Sequence, residues 1–171
     1  MVLTSGIDGA LQLLATPAHI IALVGLSLIA SRTAVSAALP IGVAFTLGLA
    51  IGLGALAWGV GETPAADVLL ASAFLCGVTA ASGVTAPVSP AVLVALLSGV
   101  ALGLDSPPET IKLGEAVATL IGTACAGVAA LTVMAWAASM TARWRQAIAL
   151  RVAGSWIAAI AMMALAVRWA P

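Results

Sequence analysis

Few residues of this chain are able to do acid–base or ligand chemistry. Among 171 residues there is one histidine, His19, with two cysteines, Cys76 and Cys125, and six carboxylates. His19 lies about nine residues into an apolar run that starts at Ala10, or roughly 14 Å at 1.5 Å per residue. That depth is near the middle of a membrane span, where an ionisable residue faces the bundle interior or a cavity. Two readings fit it: a neutral side chain bonded to a neighbouring helix, or an ion ligand or proton carrier. Pro17 removes a backbone donor and disturbs the turn before His19. Carbonyls freed there are available to line an ion site.

The remaining candidates divide by chemistry. Cys76 and Cys125 fall at a depth similar to His19 in runs of the same direction, and thiolate with imidazole suits soft or borderline ions. Cysteine is equally at home as a small buried apolar residue. Asp67 and Glu115 sit one or two turns inside their runs. Asp8, Glu62, Asp105 and Glu109 lie in connections. Oxygen ligands suit divalent cations, imidazole adds affinity for nickel or cobalt, and a funnel of carboxylates raises local cation concentration. The alternative is a solvated rim, with Asp105 or Glu109 serving helix starts.

The elements that must position these residues follow from composition. The chain is 63% apolar and 7% charged, with a mean hydropathy of +1.23. Soluble domains carry about 25% charge, so this chain is too poor in charge to cover a water-facing surface. A net charge of zero offers no polybasic face to nucleic acid. The expectation is an all-α, polytopic membrane bundle of six helices: Ala10–Ala30, Ala34–Gly59, Ala65–Val84, Pro87–Leu104, Leu113–Ala138 and Gln146–Trp169. Runs such as Ile20-Ile21-Ala22-Leu23-Val24 do not alternate as barrel strands do. Residues 1–171 then form a single transmembrane domain. No basic residue precedes the first run, and Asp8 sits where a signal has positive charge, so the run reads as a true span rather than a secretory signal. Gly61-Glu62-Thr63-Pro64 and Asp105-Ser106-Pro107-Pro108-Glu109 mark turns, and Ser82–Pro87 marks a weaker one.

Charge orients the bundle. Arg32, Arg143 and Arg145 fall on one side of six alternating spans, and the carboxylates fall on the other with Lys112 and Arg168. The positive-inside rule puts the Arg143–Arg145 loop in the cytoplasm and both termini outside. Arg151, about five residues into the last span, reads as a structural lock that donates to carbonyls freed by Pro40. Gly48 and Gly52 form a small-xxx-small pair, which serves close helix packing or a dimer seam. Trp58, Trp144 and Trp169 fall near span ends, as interface anchors do.

Several of these stretches resemble the HupE/UreJ family. Thr16-Pro17-Ala18-His19-Ile20-Ile21-Ala22-Leu23-Val24-Gly25 resembles its first core helix. Ala38-Leu39-Pro40, with Phe45 and Gly48, resembles its second. Leu70-Ala71-Ser72-Ala73-Phe74-Leu75-Cys76-Gly77 resembles its third, and Arg151-Val152-Ala153-Gly154 with Ser155–Ala159 resembles its closing helix. The likeness spans almost the whole chain in order and spacing. It implies a small polytopic permease for nickel or cobalt, in a bacterial inner membrane with periplasmic termini. The chain is a divergent member in this comparison, without most of the family's histidines. Ala18 stands where the family has Asp, and Gln12 stands where it has an earlier His. Leu102–Glu109 stands at its His-Gly-x-Ala-His-Gly-x-Glu segment, keeping Gly103 and Glu109.

The expected metal-handling residues are therefore His19, Asp67, Glu115 and Glu109, with a nickel or cobalt ion as transported substrate. No Gly-x-Ser-x-Gly, phosphate loop, His-Glu-x-x-His or Cys-x-x-Cys occurs. The reading is accordingly not an enzyme. The rival expectation is a non-transporting subunit of a larger membrane complex, or a homo-oligomer, docked through Gly/Ala-rich helix faces within the bilayer.

Overall fold

A computed structural model describes residues 2–33, 38–59, 64–106, 113–143 and 147–170. Those residues form seven helices and no strand. They are α1 (Val2–Ala15), α2 (Pro17–Arg32), α3 (Ala38–Ala57), α4 (Ala65–Ser82), α5 (Val88–Leu104), α6 (Leu113–Arg143) and α7 (Ala147–Trp169). Four helices are long and apolar enough to cross a membrane: 38–56, 65–82, 115–140 and 148–169. A fifth span arises if α1 and α2 count as one crossing, and α5 is a shorter apolar helix.

The first span is not continuous. The axes of α1 and α2 meet at 77°. Pro17 has no N–H to continue α1 and forces the residue before it out of helical geometry. Thr16 accordingly takes an extended conformation, with φ −88° and ψ 112°. Its N–H and its hydroxyl both bond the Gln12 carbonyl, at 3.2 and 2.9 Å. His19 therefore occupies the first turn of a new helix rather than the middle of a long one.

The weaker break at Ser82–Pro87 is a turn. Gly83 closes α4 at φ +76°, a left-handed conformation that glycine adopts without cost. Pro87, with φ −60° and ψ 146°, then starts α5.

Glycine sets how closely the helices approach. On α3, Gly48 and Gly52 lie on the backbone of Leu96 and Val100 of α5, and Gly99 and Gly103 of α5 lie reciprocally on Phe45 and Leu53. A methyl group at Gly48 or Gly99 would run into a carbonyl oxygen. The small-xxx-small pair is thus used inside the chain, as close packing in lipid requires. Gly77 and Gly154 join α4 to α7 in the same way, and Gly25 seats α2 on Ala73 and Cys76 of α4. The core between them is apolar, with Leu13, Leu23, Leu26, Phe45, Leu69 and Leu102 fully buried.

These contacts fix directions. Positions rise together along α3 and α5, and Gly25 sits on Ala73 and Cys76 while Leu28 clusters with Ala80, so each of the pairs α3–α5 and α2–α4 is parallel. Arg151 meets Ala81 while Arg168 meets Asp67, so α4 and α7 are antiparallel. The starts of α2 and α4 consequently lie at the same end of the bundle as the finish of α7, and a contact of Asp105 with His19 puts the finish of α5 there too. Arg32 and Arg151 lie at the other end.

Arg151 is a lock, though on a different acceptor from the one expected. Its Nε donates to the Ala81 carbonyl at 3.0 Å, and a terminal nitrogen donates to that of Ser82 at 3.3 Å. The last carbonyls of a helix have no intrahelical partner, and α4 ends there. The guanidinium also lies against Gly83, where a Cβ would come within 3.1 Å of it.

Candidate functional site

His19 is the third residue of α2 and has no exposed surface. Its Nε2 lies 3.0 Å from Oδ2 of Asp105, a residue 86 positions away in sequence. Asp105 directly follows α5, and its N–H bonds the Ala101 carbonyl at 2.9 Å. A carboxylate at a helix C-terminus meets the negative end of the dipole, worth roughly 0.3–1 kcal/mol against it. Here the same carboxylate faces the first turn of α2, where the dipole favours negative charge, and the imidazole that donates to it. Asp105 thus closes α5 through its backbone and bonds a side chain in the first turn of α2.

Which ring nitrogen donates depends on the tautomer, and an ionised partner selects one. An ionised carboxylate only accepts, so Nε2 carries the hydrogen. In the neutral ring Nδ1 is then a bare lone pair. Nδ1 is buried and has no hydrogen-bond partner among the described residues. An unsatisfied buried polar atom costs about 1–3 kcal/mol. A histidine oriented by a carboxylate, with its other nitrogen open, has the arrangement that second-shell carboxylates give metal-binding histidines.

The other expected residues go elsewhere. Asp67 pairs with Nε of Arg168, tying the start of α4 to the finish of α7. Glu115 lies in the first turn of α6, where its carbonyl accepts from the Thr119 hydroxyl at 3.0 Å. Glu109 lies outside the described residues, as do Glu62, Lys112, Trp144 and Arg145. Among the described residues, no three of His, Cys, Asp and Glu come together as a metal site. Cys76 is buried against Gly25, behaving as a small apolar residue. Cys125 is exposed in an apolar groove between α1 and α6, with Gly6, Ile7 and Gly122. The two thiols and His19 therefore do not share a site.

A second buried polar contact joins α4 to α5. The hydroxyls of Ser72 on α4 and Ser98 on α5 lie 3.0 Å apart. Each also reaches a carbonyl of its own helix.

Sequence reasoning missed Asp105 as the partner of His19. The available signal was the place of Asp105 in a turn on the side of the bundle where the first run begins. No family profile, curated protein or solved structure matches this chain. The length and apolarity of its helices define an integral membrane protein of the all-α class.

Proposed function

We propose that this chain is a HupE/UreJ-like permease for a divalent cation, nickel or cobalt, and that the His19–Asp105 pair handles the ion. One observation carries the reading: a fully buried histidine held by a carboxylate through Nε2, with Nδ1 open. The two segments in which the resemblance implies metal-handling residues, the start of α2 and the finish of α5, meet at this pair. Imidazole with oxygen ligands suits nickel and cobalt. Asp67 and Glu115 lie at helix starts, Asp67 at the end of the bundle that holds His19 but with its charge paired to Arg168, so the reading rests on the His19–Asp105 pair.

In this reading α1 and α2 make one crossing and α5 another, giving six. The end bearing Arg32 and Arg151 faces the cytoplasm, and both termini are periplasmic in a bacterial inner membrane. The test is uptake of nickel or cobalt into proteoliposomes. Wild-type protein is expected to take up the ion, with loss in His19→Ala and Asp105→Asn. Absence of uptake by folded wild-type protein overturns the proposal.

A second reading, a structural subunit of a larger complex, is favoured by the outward face of α7. Trp156 stands 66% exposed eight residues inside the span 148–169, whereas lipid-facing tryptophan concentrates at membrane interfaces. Metal-free protein co-purifying one-to-one with other membrane subunits would establish this reading.

A further inference from the structure

We propose that the groove between the start of α2 and the finish of α7 is a phospholipid seat, with an acyl chain along the groove and the phosphodiester on Arg168. A lipid held there serves a permease and a complex subunit alike. Leu28 of α2 and Leu150 of α7 share a buried cluster with Ala80, and Val24 and Ile157 pack on it. Towards the opposite end α2 and α7 part. Arg168 ties that end of α7 to α4 through Asp67, which leaves α2 uncovered. A groove of about 520 Å³ opens between the two helices, with Pro17, Ala18 and Ile21 on one wall and Ile160, Met163 and Arg168 on the other.

Depth and charge name the occupant. From Ile160 to Arg168 the groove runs about 12 Å at 1.5 Å per residue. That length lies within one leaflet of a hydrocarbon core about 30 Å thick. Among the described residues that line the groove, Arg168 is the single ionisable one, and it stands at the mouth. Trp169 follows it at the end of α7 and is 76% exposed. Tryptophan so placed sits at headgroup level, which puts Arg168 at the depth of the phosphates. Nε of Arg168 donates to Asp67, and its terminal nitrogens have no partner among the described residues. The fork of a guanidinium fits phosphate oxygens two at a time. Asp67 already balances the charge of Arg168, so the seat selects a phosphate by its oxygens and asks for no net negative headgroup. An empty apolar groove forfeits the dispersion contacts of its walls. A chain that brings a phosphate to Arg168 satisfies the walls and the fork together.

The test is native mass spectrometry of full-length protein released from dodecyl maltoside micelles, with dioleoyl phosphatidylethanolamine or dioleoylglycerol added at equal concentration. The two probes share both chains and differ in the phosphate-bearing headgroup. One phospholipid retained per chain, and no dioleoylglycerol, is the expected result. Arg168→Gln should lower phospholipid binding roughly tenfold, the weight of a hydrogen bond to a charged group. Ala164→Phe, which fills the groove and leaves the guanidinium in place, should lower it as far. Asp67→Asn removes the ion pair and keeps the guanidinium, so it should leave binding nearly unchanged. Circular dichroism checks that each variant is folded. Equal loss in Arg168→Gln and Asp67→Asn means that the pair only pins α7 to α4, and overturns the seat. Equal retention of dioleoylglycerol overturns the role of the phosphate. Unchanged binding in Ala164→Phe places the lipid elsewhere and overturns the role of the groove. A lipid-free dimer gives the groove to a second copy of this chain and also overturns the inference.

Discussion

Replacing Asp105 by leucine tests the energetics of the pair without assuming any ligand. His19 has no exposed surface, whereas the Asp105 side chain is 29% exposed. Loss of Asp105 therefore strands an imidazole N–H inside protein, beside an Nδ1 that already has no partner. A hydrogen bond to a charged group is worth about 1.5–3 kcal/mol, and an orphaned buried donor costs about 1–3 kcal/mol. These overlap rather than add, so Asp105→Leu should destabilise by about 3 kcal/mol. His19→Leu leaves a carboxylate that water still reaches, and should cost about 1 kcal/mol. The double replacement removes both polar partners, a change that is often nearly neutral. The cycle should then give a coupling of at least about 2 kcal/mol, more than tenfold in the folding equilibrium. Equilibrium unfolding in mixed detergent micelles, followed by circular dichroism, measures all four proteins. Strict additivity of the single changes, or an Asp105→Leu protein within about 0.5 kcal/mol of wild type, would refute the pairing.

The remaining predictions concern packing and exposure. Gly99→Leu places a side chain on the Phe45 carbonyl and should cost about 3 kcal/mol or more, seen in the same unfolding assay. Gly54→Ala meets nothing within 4 Å and should stabilise by up to about 1 kcal/mol through helix propensity. Arg151→Ala should cost about 1–2 kcal/mol by uncapping Ala81 and Ser82. Arg151→Lys should recover only part of it, since an ammonium lacks the planar fork. In folded protein a membrane-permeant maleimide should modify Cys125 and leave Cys76 unmodified, read by intact mass. Equal labelling of both thiols would contradict the packing of α4 on α2.

The sequence by itself determined the class of this protein. Too few charged residues to face water, and apolar runs without alternation, leave only membrane helices. Local chemistry was equally legible: Gly83 and Pro87 punctuate α4 and α5, and the small-xxx-small spacing of Gly48 and Gly52 signals close helix approach. The disturbance at Pro17 was visible too, but its size was not. A proline merely withdraws one bond, and the 77° turn is decided by what α1 and α2 pack against, α6 on one side and α4 on the other. The partners of the polar side chains were beyond the sequence for the same reason. Asp105 reaches His19 across 86 residues, Asp67 spends its charge on Arg168, and Arg151 bonds α4 rather than the turn before Pro40. Periodicity and composition assign a residue to a helix and a depth. The azimuth that brings two helices' side chains together is set by the interlocking of glycine faces, and that exists only in the folded bundle.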